Sequence, residues 1–388
     1  MARGASAAVT QPAAHVCHVD LAGPLPAVAC RPGDVPVWLY LWRDGVPVAR
    51  RIVEPRELPV TEAVLAGLRS EAPAAPPAAI ARDTRGASVI VCTRDRPEAL
   101  ARCLASLAAL DPAPGEIVVV DNAPATPASR DVASDRPGVR YVVEPRPGLD
   151  CARNAGVAAA AGEIVAFTDD DVEVSRDWLG RLVPSFADPE VVAMTGLVVP
   201  GALDTEAQVV FERHFEGLDR GYAPKRFDAE WFARHRRTGA PVWQIGAGAN
   251  MAFRRYAVLA AGGFDERLDA GAAGCSGDSE LWYRLLAAGG VCVYTPAAVV
   301  RHHHRPSPAE LRRQVHFYMR GHVVALLVQF ERHRHWGNLY RLAVGLPAYY
   351  ARQLVVGALR GFPLESRIAL GGASGAVAGL RYYAGARG

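Results

Sequence analysis

The sequence predicts an α/β protein built on a doubly wound sheet, and three observations carry that expectation. Apolar runs of strand length recur from residue 88 to residue 167, at Ser88–Cys92, Ile117–Val120, Val139–Val143 and Ile164–Phe167. Each runs into polar or acidic residues: Thr93-Arg94-Asp95, Asp121-Asn122, Glu144 and Asp169-Asp170-Asp171. Helical patterns lie between them. Leu100, Cys103, Leu104, Leu107 and Leu110 recur at helix spacing, and Leu149 to Ala161 is an alanine-rich helical stretch. Continuous apolar runs closed by polar clusters read as strands buried on both faces. Alternation of such strands with helices gives a sheet covered on both sides, with ligands at its carboxyl edge.

The Asp169-Asp170-Asp171 cluster stands at that edge. Three adjacent carboxylates repel one another, and a hard divalent cation shared with a phosphate is the natural counter-ion. An acidic turn capping a helix is the plainer reading of an isolated triple Asp. Other ligand classes lose support. No GxGxxG follows the first strand, and the Gly246-Ala-Gly248-Ala-Asn250 run lacks the third glycine, which disfavours nicotinamide or flavin binding. A Walker lysine motif is also absent.

Length and composition set the frame. The 388 residues suit two or three domains, and half of them are apolar, enough for a sizeable core. A net charge of +3 does not argue for nucleic acid, and the basic excess is local, from Arg301 to Arg334. Seven cysteines without CxxC spacing favour reduced thiols and a cytosolic compartment. Residues 1–14 lack the pattern of a signal peptide, and no run of about 18 uncharged apolar residues marks an ordinary transmembrane helix.

The expected organisation is a loose N-terminus at 1–15, a small β-rich module at 16–70, a Pro/Ala linker at 71–86, a main α/β domain at 87–308 and a helical region at 309–388. In the module, residues 36–53 read as a hairpin turning at Asp44-Gly45, with Pro47 marking an edge strand. Pro59 to Leu68 reads as a short helix with proline in its first turn. In the last region, Val323 to Phe330 and Leu339 to Leu359 read as helices, the second kinked or split by Pro347.

From Ser88 to Arg305 the chain resembles glycosyltransferase family 2, on the GT-A fold with its mixed, doubly wound sheet. Several ordered segments carry the resemblance: Val-Ile-Val-Cys-Thr93-Arg-Asp95-Arg-Pro, Val-Val-Val-Asp121-Asn122, Pro147-Gly-Leu-Asp-Cys-Ala-Arg153-Asn154-Ala-Gly156, Phe-Thr-Asp169-Asp170-Asp171, Gly246-Ala-Gly-Ala-Asn250, Gly262-Gly-Phe-Asp265-Glu and Gly277-Asp278-Ser-Glu280-Leu-Trp-Tyr-Arg284. The family implies a nucleotide-sugar donor, a hydroxyl acceptor, a metal at a DxD motif and a carboxylate base.

Carried onto this chain, the resemblance implies nucleotide-sugar contacts from Thr93, Asp95, Asp121, Arg153, Asp169 and Asp170. Asp171 and Asp169 become ligands for Mn²⁺ or Mg²⁺, with His302 as a further ligand. Asp278 becomes the general base, and Asn250, Glu280 and His304 the acceptor side. Each has a plainer alternative. Asp121 could cap a strand-end turn, Thr93 or Asp278 a helix N-terminus, and Arg153 could be a helix-surface cation. His302-His303-His304 could be an exposed basic run. The family pattern has Glu-Asp where this chain has Gly277-Asp278, which leaves Glu280 as an alternative base and an inactive binding module as an alternative function. A sugar nucleotidyltransferase is a third reading, weakened by the lack of a glycine-rich basic opening loop. Gln314-Val-His-Phe-Tyr318 stands where processive members carry QxxRW, so one sugar per acceptor is expected. The C-terminal helices mix arginine with apolar and aromatic residues, as interfacial helices on an anionic membrane do. The expected partners are therefore a nucleotide sugar, a glycan or lipid-linked acceptor and a membrane surface, with no nucleic acid. The expected place is the cytoplasm, at the inner face of the membrane.

Overall fold

A computed structural model describes residues 13–25, 35–76, 78–214 and 218–385. The expected loose N-terminus and Cys30 fall outside these residues, except for Ala13–His15. Those three are held: the Ala13 and Ala14 amides donate to the Asp204 and Leu203 carbonyls.

A three-stranded sheet comes first, with β1 (His15–Asp20) parallel to β2 (Val37–Arg43) and β2 antiparallel to β3 (Val46–Val53). Asp44 and Gly45 join β2 to β3 with φ of 53° and 73°, the backbone of a tight hairpin turn. Pro47 lies on β3, an edge strand, where its missing N–H breaks no central ladder. Alternation along β2 gives two faces. Val37, Leu39 and Leu41 pack toward helix α1 (Glu62–Glu71), while Trp38 and Tyr40 enter the core of the larger sheet. Helix α1 starts later than the sequence suggests. Thr61 caps it, its hydroxyl accepting from the Val64 amide at 3.3 Å, so Pro59 lies before the helix.

The large sheet has nine strands. Its first half is the expected parallel set: β4 (Thr84–Thr93), helix α2 (Pro97–Ala108), β5 (Pro114–Asn122), helix α3 (Ala128–Ser134), β6 (Val139–Glu144), helix α4 (Leu149–Ala159) and β7 (Ile164–Asp169). The order β6-β5-β4-β7 places β4, the first of these strands in sequence, between β5 and β7, and register puts Thr93 beside Asp121 and Cys92 beside Asp169. The ends of these strands therefore share one edge.

The second half makes the sheet mixed. After β8 (Val172–Val174) and helix α5 (Trp178–Leu182) come β9 (Val191–Pro200), helix α6 (Glu206–His214), β10 (Lys225–Phe227), helix α7 (Ala229–His235), β11 (Asn250–Arg254), helix α8 (Arg255–Ala260), helix α9 (Gly277–Ala287) and β12 (Val291–His302). β11 lies antiparallel between β7 and β9, and β12 runs parallel to β9. β12 thus points the same way as β7, and His302 ends at the same edge as Asp169.

The C-terminal region begins with α10 (Pro308–His333), one helix of 26 residues. Ser307 and Glu310 close its start with a reciprocal capping box. A further helical run spans Gly337 to Leu359, as α11 (Gly337–Tyr340), a π-helical turn (Arg341–Gly345) and α12 (Leu346–Leu359). The wide turn falls where Pro347 has no N–H to offer the preceding turn. This run is long and apolar enough to cross a membrane by length and composition, although Arg341 and Arg352 interrupt it. Helix α13 (Leu364–Gly385) folds back along α10, where Gly375 and Gly379 sit against the backbone of His316 and Arg320.

Asn250, expected on the acceptor side, is instead a joint inside the sheet. It is fully buried, accepts from the Trp178 indole at 2.9 Å and donates to the Leu197 and Ala298 carbonyls at 3.0 and 2.9 Å. Removing the amide orphans a buried donor and two buried acceptors. Asn250→Ala is expected to cost about 3 kcal/mol and to lower the melting temperature by several degrees; an unchanged melting curve would contradict this role.

Candidate active site

The shared edge opens into a cleft of about 810 Å³. Asp169, Asp170 and Asp171 form part of its lining, with His302 and Arg305 beside them. The first turns of α10 supply Arg313, Gln314, Phe317 and Arg320, and the 269–274 loop adds Asp269 and Gly271.

The three consecutive acids have different surroundings. Asp170 is tied into the protein, accepting from the Thr93 hydroxyl at 2.8 Å and from Arg96 Nη1 at 3.0 Å. The same Arg96 nitrogen donates to Asp171 at 3.0 Å. Asp171 also has Nε2 of His302 at 3.4 Å and Arg305 at 4.0 Å. Burial, then repulsion from Asp171, pushes the Asp169 carboxyl up to about 7. Burial also works to raise Asp171, but His302 when protonated, Arg96 and Arg305 outweigh it and hold Asp171 below its ordinary value. Burial pulls His302 down to about 4, which leaves it a neutral imidazole near neutral pH. Ligand atoms of Asp169, Asp171 and His302 lie within 4.8 Å of one another. Two carboxylates and a neutral imidazole, a borderline ligand, are a donor set that a divalent ion such as Mn²⁺ accepts, and the residues fit one.

A second acidic group surrounds Arg153. This arginine is 4% exposed, and its Nη1 donates to Asp150 at 2.9 Å and to Asp269 at 2.6 Å. Its charge is already engaged by protein carboxylates and it does not line the cleft, which corrects its expected place beside a diphosphate. Asp269 takes the left-handed conformation, with φ of 58°, and presents its carboxylate at the cleft. No motif marks it in the sequence. Asp278 is the second residue of α9, and Ser276, not Asp278, is the cap position. Asp278 accepts from the Ser279 amide at 2.6 Å and does not itself line the cleft, whereas Asp269 does. Burial and Asp269 raise its carboxyl above the ordinary range.

Gly277 has a local cause. A Cβ at this position would collide with the Asp150 carboxylate. Helix α4 thus delivers an acid into the space that a side chain at 277 would fill. Asp150 is 1% exposed, and one of its oxygens has no hydrogen-bond partner among the described residues. Burial and then Asp269 push it well above its usual value, with Arg153 opposing.

The remaining expected site residues divide. Asp121 is fully buried, accepts from the Tyr141 hydroxyl at 2.7 Å and keeps its other oxygen without a partner among the described residues. Burial raises its carboxyl. Its neighbour Asn122 lines the cleft and accepts from the Gly148 amide at 2.8 Å. Asp95, at φ of 53°, accepts from the Ala125 amide at 2.9 Å and links two strand-end loops. Glu280 is corrected: it is fully buried, paired with Arg284 Nε at 2.9 and 2.8 Å, and faces Arg332 of α10 at 3.7 Å. His304 is corrected too. It is buried behind His302, against Glu212 and Phe211, and does not line the cleft. The cleft residues that sequence reading missed are Asp269 and the arginines Arg96, Arg305, Arg313 and Arg320.

Comparison with known proteins agrees with this geometry. Residues 88–260 match the family model "Glycosyl transferase family 2". Pre-mycofactocin glycosyltransferases from two strains of Mycobacterium tuberculosis are each 32% identical over 154 residues, which is 40% of this chain and 30% of theirs. The chain thus spans less than a third of the length of these curated relatives. A mannosyltransferase from Pyrobaculum calidifontis, solved with GDP-Man and Mn²⁺, shares the fold at a TM-score of 0.51 and 20% identity, covering 81% of this chain and 92% of its own. Residues 88–260 are therefore a glycosyl transferase family 2 domain, set in a GT-A fold.

Proposed function

We propose that the domain transfers one sugar from a nucleotide-diphosphate sugar to an acceptor hydroxyl, with inversion at the anomeric carbon. The observation that carries this is the meeting of Asp169, Asp171 and His302 at the carboxyl edge of the sheet, in a cleft walled by arginines. These three residues would hold Mn²⁺ or Mg²⁺. Such an ion, when bound, supplies positive charge against the diphosphate as it leaves. Thr93, Asp121 and Asn122 stand at the ends of β4 and β5, where the nucleoside would lie. Arg313 and Arg320 face the cleft from α10 and suit an anionic group on donor or acceptor.

Asp278 is the proposed base. A single carboxylate that removes the acceptor proton while the hydroxyl attacks in line gives inversion. Its raised carboxyl suits proton uptake, whereas Asp269 is bound to Arg153 and is the poorer base. Because Asp150 explains Gly277 sterically, the glycine no longer argues for an inactive module. The catalytic unit would span residues 87–308, with the small module and the C-terminal region flanking it.

The acceptor side points to a lipid surface. Trp336 is 73% exposed and Leu359 82%, and Tyr340, Val344, Leu354 and Val355 are exposed between them. No Asp or Glu stands between Glu331 and Glu365, while Arg332, Arg334, Arg341, Arg352 and Arg360 do. An apolar, purely cationic face fits the anionic inner leaflet of a membrane. A glycolipid or polyprenyl-linked acceptor, in the synthesis of a cell-surface glycan, would meet the cleft there.

Thermal melting with UDP, GDP, dTDP and CDP, each with and without Mn²⁺, tests the donor site. One nucleotide at about 100 times its Kd is expected to stabilise the protein by about 2.7 kcal/mol, only with metal, and not in Asp171→Ala. No shift with any nucleotide would contradict the proposal. In a turnover assay with saturating metal, Asp278→Asn is expected to lose activity by about 10²–10⁴-fold, more than Asp269→Asn. Because the Asp278 carboxyl is raised, wild-type kcat/KM should be present above that value and be lost as pH falls through it, at a pH higher than about 4. A lower acid limb, or an active Asp278→Asn, would remove Asp278 as base. Flotation with anionic vesicles at low salt is expected to carry the protein upward, and Leu354→Glu with Arg352→Glu to leave it below; a wild-type protein that stays below would contradict membrane docking.

A further inference from the structure

Behind His302 runs a buried polar chain that nothing in the donor chemistry requires. Nδ1 of His302 lies 3.0 Å from Nδ1 of His304. Nε2 of His304 lies 2.6 Å from Oε1 of Glu212. His304 is 6% exposed and Glu212 2%. Helix α6 builds the mount: Gln208 donates to the His304 carbonyl at 2.9 Å, and Phe211 packs on the imidazole at 4.8 Å between ring centres. Residues 208, 211 and 212 share one helix face. Beyond Glu212 stands Arg50 of the small module, 3.6 Å from Oε2 and lying over the Trp38 ring. It keeps a positive charge beside the carboxylate.

Hydrogen-bond bookkeeping gives this chain a direction. An ionised carboxylate only accepts, so the hydrogen on His304 lies on Nε2. The Nδ1 of a neutral His304 is then bare and must accept. The hydrogen between the two rings therefore belongs to Nδ1 of His302. A neutral His302 has no second hydrogen, so its Nε2 presents a lone pair. That nitrogen faces Asp171 across 3.4 Å, two acceptors opposed with room for a cation near both. We propose that Glu212 and His304 are positioning residues that fix His302 in the tautomer whose Nε2 is free to ligate a divalent ion. This rests on the reading of Asp169, Asp171 and His302 as an ion site, and it gives the small module a part in that site through Arg50.

The test is a double-mutant cycle read as Mn²⁺ affinity, by electron paramagnetic resonance of free Mn²⁺ at fixed pH and without substrate. Glu212→Ala is expected to weaken Mn²⁺ binding by about 10–100-fold, the usual effect of removing a group that orients a ligand. In a His302→Ala background the same change should have no effect, because the nitrogen it orients is gone. Equal weakening with and without His302 would overturn the relay, since it would show a merely structural effect. An unchanged affinity in Glu212→Ala with His302 present would overturn it too. An unchanged affinity in His302→Ala alone would instead overturn the ion-site reading. Should Glu212→Ala fail to fold, Glu212→Gln keeps the shape. Its uncharged amide is expected to weaken Mn²⁺ binding at least about threefold with His302 present and not at all without it.

Discussion

Electrostatic repulsion at the carboxyl edge of the large sheet governs the structure around it. Asp169, Asp170 and Asp171 arrive from one strand, and Asp150, Asp269 and Asp278 crowd in from α4, a loop and α9. At separations of a few ångströms, such charges in a poorly hydrated place are tolerable only with close counter-charge or bound protons. The protein meets this unevenly. Arg96 serves Asp170 and Asp171 together, and Arg153 serves Asp150 and Asp269. Asp169 and Asp278 have no arginine paired to them among the described residues, and burial raises both, as it raises Asp150 and Asp170 despite their arginines.

This arrangement explains which parts were legible in the sequence. Strands buried on both faces announce themselves as apolar runs, and their terminal acids mark the edge where a ligand sits. The Asp169-Asp170-Asp171 cluster could thus be found from its strand end, whereas His302 is picked out by the family resemblance. Asp269 and Arg96 could not, because their roles depend on backbone turns and on partners far away in sequence. Asn250 and Glu280 misled for the opposite reason. They sit in motif-bearing segments, yet their polarity serves the interior: one joins strands, the other anchors α9 to Arg284 and Arg332. Helix α10 was underestimated because Arg312, Arg313 and Arg320 interrupt its apolar pattern. The Ser307-x-x-Glu310 signature at its start was the available sign.

The small module is bound to the large sheet more closely than its separate hairpin suggested. Alternation along β2 gives it two cores, its own and the shared one that takes Trp38 and Tyr40. Arg50 and Arg213 add ion pairs across the same contact, to Glu212 and from α6 to Glu54. An element that buries tryptophan and tyrosine in a neighbour's core contributes to that neighbour's stability. Its removal would expose a broad apolar face on the larger sheet.

Helix α10 belongs to two structures at once. Its first turns wall the cleft with Arg313, Phe317 and Arg320, and its length forms one side of the close seam with α13. Glycine contacts between helix backbones leave little slack between α10 and α13, which pack as one beam. A load on the far end of that beam would therefore be felt at the cleft wall as tilt. A surface that received the C-terminal helices would thereby set the angle of the cleft wall that faces the acids.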